Sequence, residues 1–234
     1  MPAISFANAK GGAGKTTAAL LLANELAARG ETVTIFDADP QRWISHWAAL
    51  PGKSPRITVI NQFTPATIGN AILEERKTAD YVIVDLEGTE NLLVANALCV
   101  SDLVLVPIQG CAMDAKGGAK VLDLVAKLEN AVRRKIERSV VLTRCHAAVT
   151  TRAMKAIQTH LSENGIDVLA QPIIERAVFR DLFDLGGSLR DMDRKRSSNL
   201  NKAIENAMGF TDEVLTRVPK MKKKSILRFL RRAA

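Results

Sequence analysis

The stretch "NAKGGAGKTT", residues 8–17, decides how the chain reads. Gly11, Gly12 and Gly14 allow backbone turns closed to other residues, so several N–H groups can converge on one anion. The preceding run, 3–8, reads as a buried strand, and the residues from Lys15 onward read as an amphipathic helix. A glycine-rich turn between strand and helix is where a phosphate-binding loop must lie, and the helix N-terminus adds partial positive charge there. Lys15 is expected to neutralise the β- and γ-phosphates of a nucleotide, and Thr16 to bind Mg²⁺. Two features depart from the usual G-x-x-x-x-G-K-[ST] pattern. Ala9 stands where the first glycine would be, and Lys10 is an additional lysine. Chemistry alone says that a second cation near a polyanion helps to bind or stabilise it.

Such a loop needs carboxylates at neighbouring strand ends. "TIFDADPQ", 34–41, supplies Asp37 and Asp39, and "YVIVDLEG", 81–88, supplies Asp85 after four largely apolar residues. Asp85 is expected to hold the Mg²⁺ shell through water. Asp37 or Asp39 is expected to orient the attacking water, with Asp39 also a candidate for the metal shell. The alternative for any of them is a helix-cap or turn residue.

Around this centre, short apolar runs alternate with longer helical patterns. The runs 3–8, 32–37, 57–60, 81–85, 103–107, 139–143 and 167–170 predict strands. The segments 15–29, 41–49, 65–78, 90–98, 114–134, 151–164, 176–184 and 195–208 predict helices. Central strands apolar throughout imply cover on both faces, and the alternation implies an α/β fold: a mostly parallel sheet flanked by helices.

The 234 residues suffice for one domain with a substantial core. No apolar run approaches the length of a membrane span, and no secretory leader is expected at the N-terminus. Cys99, Cys111 and Cys145 lack metal-ligand spacing and read as free thiols of a reducing cytoplasm. The net charge of +8 is concentrated at one end. Residues 220–234 hold seven basic side chains and no acid, which leaves 26 basic against 25 acidic residues elsewhere. The expected organisation is therefore an ATPase domain over 1–219 and a basic tail over 220–234.

The order "KGGAGKTT", "FDADPQ" and "VIVDLEG" resembles the ParA/MinD family of deviant Walker ATPases, a P-loop NTPase fold, through most of residues 1–190. "SDLVLVPIQGCAMDAKG" resembles the family's segment after the Walker B strand, "VVLTR" the strand near the adenine, and "PIIERAVFRD" the segment before the last helices. The likeness is greatest to small ParA proteins of plasmid partition, which lack an N-terminal DNA-binding domain. "DLEG" departs from the family's frequent Asp-x-Pro, which bears on Glu87 but not on Asp85.

The resemblance implies a role for Lys10. As the family's signature lysine it reaches the partner subunit's nucleotide, so that two ATP molecules are held between two chains. It also implies a nucleotide site built from Lys10, Gly11, Gly12, Ala13, Gly14, Lys15, Thr16, Thr17, Asp37 and Asp85, with Thr143 and Arg144 near the adenine. Lys10, Lys15 and Asp39 carry the catalysis, and the cofactors are ATP and Mg²⁺. The implied partners are a second copy of the chain on ATP binding, non-specific DNA, and a ParB-type protein that stimulates hydrolysis.

Two surfaces compete as the output of such a switch. Arg176, Arg180, Lys195 and Arg196, around "RKRSSNLNK" (194–202), offer cations that grip phosphates without reading bases. The tail "KMKKKSILRFLRRAA" (220–234) sets Lys222, Lys223, Lys224 and Arg228 beside Ile226, Leu227, Phe229 and Leu230. It resembles the C-terminal membrane-targeting helix of MinD proteins, and a basic amphipathic segment suits an anionic lipid interface. DNA partition on the nucleoid is the first reading. Positioning at the inner membrane is the second, and a metabolic P-loop enzyme the third. Trp43 and Trp47, four apart, share a helix face and read as core or dimer packing rather than ligand stacking. His46, His146 and His160 read as structural.

Overall fold

The computed structural model describes residues 1–88, 91–109, 112–146, 159, 161–163, 165–193 and 199–219. Seven strands form one sheet: β1 (Ala3–Phe6), β2 (Val33–Ala38), β3 (Ile57–Ile60), β4 (Tyr81–Leu86), β5 (Leu103–Ile108), β6 (Glu137–Leu142) and β7 (Asp167–Val168). Their spatial order is β3-β2-β4-β1-β5-β6-β7, and every pairing is parallel. Parallel neighbours require crossovers, which helices α1 (Lys15–Ala28), α2 (Trp43–Ala49), α3 (Ile68–Glu75), α4 (Leu92–Cys99) and α5 (Ala112–Val132) supply. Helices α6 (Ala177–Leu185) and α7 (Leu200–Arg217) follow β7, with a 3₁₀ turn at Leu189–Asp191 between them. Among the described residues no helix is long and apolar enough to cross a membrane.

The two-residue alternation of each strand builds two cores. Ile4, Phe6, Val33, Ile35 and Ile83 face α1, α2, α6 and α7. Phe36, Val82, Val84, Val104 and Val106 face α3, α4 and α5. Helix α1 lies deepest, buried from Ala18 to Ala27 around its whole circumference, which is why its residues are mostly Ala and Leu. The same alternation aims two carboxylates. Asp37 is in phase with Val33 and Ile35, and Asp85 with Ile83, so both strand-end aspartates lie on the α1 side. They are also direct neighbours in the β2–β4 register.

Several boundaries differ from those predicted. Strand β1 stops at Phe6; the Ala7 N–H still donates to the Leu105 carbonyl at 3.0 Å, and the Asn8 side-chain amide bonds the Pro107 carbonyl of β5. The last helix runs to Arg217, beyond the expected 208, because Gly209 does not end it. A Cβ at Gly209 would lie 3.3 Å from the Gln171 side chain, so that glycine marks a close approach inside the helix. The predicted helix 151–164 and the first part of 195–208 fall largely outside the described residues, as does the whole tail 220–234.

Candidate nucleotide site

The loop after β1 is shaped by two left-handed glycines, Gly12 (φ 77°) and Gly14 (φ 90°). Gly14 has a second constraint: a Cβ there would lie 3.3 Å from Cβ of Thr143. Thr143 is buried, and its hydroxyl donates to the Ala13 carbonyl at 2.7 Å. It therefore props the loop from behind, while the following residue, Arg144, faces the cleft. Asn8 supports the other end. Its side-chain amide donates to the Pro107 carbonyl at 2.5 Å, and its Oδ1 accepts from the Lys10 N–H at 2.9 Å. Gln109 donates to the Gly12 carbonyl, and Gly88 comes so close that its Cβ would meet the Gly11 nitrogen at 3.4 Å. The glycine of "DLEG" thus lets the β4–α4 connection lie against the loop.

The cleft above the loop has a volume of about 590 Å³. Gly11, Gly12, Gly14, Lys15, Thr16 and Thr17 line one part, and Asp39, Pro40, Gln41, Glu87 and Gly88 a second. Arg144, Arg180, Phe183, Asp184 and Trp43 complete the wall. Lys15 is 5% exposed, and its ammonium reaches the Lys10 carbonyl at 3.5 Å. Lys10 is half-buried and does not line the cleft, since its Cβ sits 3.4 Å from where a Cβ on Gly117 of α5 would be.

Beneath the loop lie the strand-end carboxylates. Asp85 is fully buried, and neither of its oxygens has a hydrogen bond of good geometry, although the Thr16 hydroxyl lies close enough to favour its charged form. Burial pushes its carboxyl up to about 7, helped by the neighbouring Asp37 and Asp39 and opposed by Thr16 and Lys15. Asp37 is also buried. Its Oδ2 accepts from the Ser45 N–H at 2.7 Å and the Ser45 hydroxyl at 2.6 Å, which leaves Oδ1 without a partner. Asp37 thereby anchors the first turn of α2 while keeping one oxygen available. Asp39 sits at the mouth, where its Oδ1 accepts from the Gln41 N–H at 2.9 Å. Buried carboxylate oxygens without partners are expensive to fold and fit a cation or a shell of bound water.

The structure brings the loop residues, Asp37, Asp39, Asp85 and Arg144 to one locus, and it separates other candidates. Arg180, expected on the DNA- or membrane-contacting surface, instead lines the cleft and pairs with Glu175 at 3.0 Å, beside Arg144 at 3.6 Å from the same carboxylate. Arg176 occupies the N-cap position of α6 without a side-chain capping bond and has a buried Nε without a partner. Lys195, Arg196, Lys222, Lys223, Lys224 and Arg228 lie outside the described residues. Asn8, Gln109 and Gly88 were not singled out in the sequence. Their roles depend on contacts with residues far along the chain, which no local spacing announces.

A family model described as VirC1 protein matches residues 1–217. The "Protein ParA" of Rhizobium radiobacter is 39% identical over 210 residues, covering 90% of this chain and 94% of that protein. Among solved structures, the Cyanothece McdA(D38A)–ATP complex matches with a TM-score of 0.69 at 15% identity, covering 95% of this chain and 99% of that one. Cobyrinic acid a,c-diamide synthase from Mycobacterium smegmatis, with ADP and magnesium, also matches at 0.69, with 17% identity and 95% and 97% coverage. A fold common to McdA and a synthase leaves the choice of function to the site and to the family.

Proposed function

This chain belongs to the VirC1 family and has a ParA protein among its relatives, and from that premise we propose that it is a partition or positioning ATPase of the ParA type. It binds ATP with Mg²⁺, dimerises on the nucleotide, holds non-specific DNA as the dimer and lets go after hydrolysis. The observation that carries this reading is Asp85: a completely buried carboxylate with neither oxygen in a hydrogen bond of good geometry, below a loop that buries Lys15. Such an arrangement costs stability and serves no packing purpose, so it points to a ligand that supplies positive charge and water.

The residues divide the work. The loop N–H groups and Lys15 hold the phosphates, while Thr143, Asn8 and Gln109 keep the loop in the shape that does so. Thr16 and Asp85 would hold the Mg²⁺, which when bound would offset the negative charge of the phosphates. Asp39, at the mouth of the cleft, orients the attacking water. Lys10, which lies beside α5 and outside the wall of this chain's own cleft, meets the phosphates bound by the second chain. Arg176, Lys195, Arg196 and the basic tail contribute the DNA-binding surface, at the nucleoid in the cytoplasm, and a ParB-type protein triggers hydrolysis. The ATPase unit spans 1–219 and the tail 220–234.

A second reading has one observation behind it: Ile226, Leu227, Phe229 and Leu230 alternate with arginines in the tail, as in a helix lying on anionic lipid. One set of measurements decides both. Lys15→Ala is expected to lose ATP hydrolysis by two orders of magnitude or more. Lys10→Ala is expected to bind ATP yet remain monomeric by light scattering, and to lose DNA co-sedimentation with it, because a dimer doubles the basic surface. Unimpaired turnover by Lys15→Ala overturns the site. An ATP-dependent Lys10→Ala dimer overturns the role of the second lysine. Deleting 220–234 is expected to weaken binding to duplex DNA; loss of binding to anionic vesicles alone favours the membrane reading.

A further inference from the structure

Asp37 and Asp85 are both fully buried and stand side by side in the β2–β4 register, yet only Asp37 has one oxygen bonded and one open. Strand β2 by itself does not decide which oxygen stays open. The last torsion of an aspartate is broad and roughly two-fold, so the carboxylate can turn its oxygens over. Here the choice is made by α2.

Helix α2 is seated by Ile44 and Trp47, both fully buried, and Trp47 donates its ring N–H to the Gly187 carbonyl at 3.0 Å. Trp43 is 47% exposed, so of the two tryptophans only Trp47 packs in the core. Between them, Ser45 is carried back to the strand end. Its N–H and its hydroxyl both donate to Asp37 Oδ2, at 2.7 Å and 2.6 Å. Arg42, just before α2, has a left-handed backbone (φ 56°), and its guanidinium donates to the Asp37 carbonyl. The same guanidinium lies over the Phe63 ring, 5.8 Å from its centroid. The start of α2 thus grips Asp37 by both its side chain and its main chain.

The Ser45 hydroxyl has a single proton to give. Asn61, exposed in the connection from β3 to α3, donates its side-chain amide to Ser45 Oγ at 3.0 Å. That bond uses the hydroxyl as an acceptor and leaves its proton for Asp37. Donation therefore runs one way, from Asn61 at the surface to Ser45 and on to Asp37. With two donors on Oδ2, the charge left for a ligand lies on Oδ1, which is buried and without a partner. Neither Ser45 nor Asn61 lines the cleft.

We infer that Ser45 is a positioning residue for the Mg²⁺ site: it holds Asp37 by Oδ2 and so keeps Oδ1 for the metal and its water, while Asn61 sets the direction in which Ser45 donates. The inference rests on the phosphate-loop reading and adds to it the residues that aim one of its carboxylates. Bonds made behind a metal-binding group contribute about tenfold to a hundredfold in metal affinity. The lower figure applies here, because the Ser45 N–H still reaches Oδ2 when the hydroxyl is removed.

The test measures ATP binding by calorimetry, with excess Mg²⁺ and with the metal removed by EDTA, on the full chain and on Ser45→Ala, Ser45→Thr and Asn61→Ala. The ratio of the two affinities isolates what the metal contributes. Ser45→Ala is expected to reduce that ratio about tenfold and to leave metal-free binding within about twofold of the parent. Ser45→Thr keeps the hydroxyl and should stay within about threefold of the parent ratio, and Asn61→Ala should fall between Ser45→Ala and the parent. Unchanged metal-free binding also shows that the variants are folded with the loop intact. Three outcomes overturn the role of Ser45: a ratio unchanged or raised in Ser45→Ala, metal-free binding lost in step with it, or no recovery in Ser45→Thr. A parent ratio in Asn61→Ala strikes out Asn61 alone. A parent chain that binds no ATP sinks the phosphate-loop reading itself, and one that binds ATP equally with and without Mg²⁺ sinks the metal site. Both are told apart from a failure of Ser45, which is read only against a parent that responds to the metal.

Discussion

Two aspartates buried in the same sheet, Asp102 and Asp85, meet opposite fates. Asp102 precedes β5 at the N-terminal edge of the strands. Its carboxylate accepts from the Ala3 N–H at 2.8 Å, from Arg76 at 2.6 Å and from Arg134 at 3.3 Å. Asp85, one residue before the end of β4 at the opposite edge, has no hydrogen bond of good geometry. One edge thus closes its own charges and ties the chain start to α3 and the α5–β6 connection. The other leaves its charges open below a loop built to receive an anion. Where a buried carboxylate is fully paired, removing it is costly because its partners are left with buried charge unmatched; where it is buried and left open, the fold carries a cost on behalf of a ligand.

The sharpest way to break this contrast acts on the open edge. Asp39→Ala is expected to lower ATP hydrolysis by about a hundredfold or more, as removal of a water-orienting carboxylate does. ATP binding should persist, and the bound form should accumulate as a dimer visible by light scattering. A variant that fails to bind ATP would move Asp39 from the water to the metal.

At the closed edge, Asp102→Ala should cost about 2–3 kcal/mol, less than a wholly buried pair because Arg134 is 39% exposed. Thermal melting should register several degrees, with ATP affinity unchanged. If affinity fell in step with stability, the two edges would not be independent.

Asp85→Asn should act in the opposite direction on the ligand-free chain. The Asp85 carboxyl is raised by burial to about 7, so between its unfolded value and about pH 7 the folded state binds more protons than the unfolded state. The parent chain therefore loses stability as pH rises through that window and levels off above it. Asparagine does not titrate, and the variant's advantage should grow across the same window to about 1–2 kcal/mol at pH 8, part of the gain being offset by its unpaired amide. Melting curves at pH 5 and pH 8 check this, and an advantage larger at pH 5 would contradict it. The smallest effect belongs to a pair that is neither buried nor open. Lys77 and Glu74 touch at 2.6 Å with side chains 65% and 68% exposed, and Lys77→Ala should change stability by less than about 0.5 kcal/mol by urea unfolding.

The open edge was legible in the sequence because its grammar is local. Apolar runs of β-branched residues ending in Asp37 and Asp85, and three glycines before Lys15, state strand, turn and helix within a few residues of one another. The closed edge was not legible. Asp102 finds the Ala3 N–H 99 positions away, and nothing in "SDLV" distinguishes it from a turn residue. The same blindness hid Thr143 as a prop for the loop and Gln109 as a bond to Gly12. It also paired Trp43 with Trp47, since spacing gives a shared face but not what lies opposite it. The last helix also outran its expected end at 208, with Gly209 inside it against Gln171, a contact that no local spacing announces.

The strand order has a consequence for how the molecule is made. β1 leads directly into the phosphate loop, yet its neighbours on either side are β4 and β5, with Ala3 opposite Val82 and Ile4 opposite Leu103. A ribosome adding roughly 5–20 residues per second holds that strand unpaired for several seconds before either neighbour has left the exit tunnel. Through that interval an apolar segment with two bare edges is exposed to every other nascent chain nearby. Stalled chains ending before residue 81 should accordingly be cleaved by protease throughout β1, and those ending well past β5 should resist.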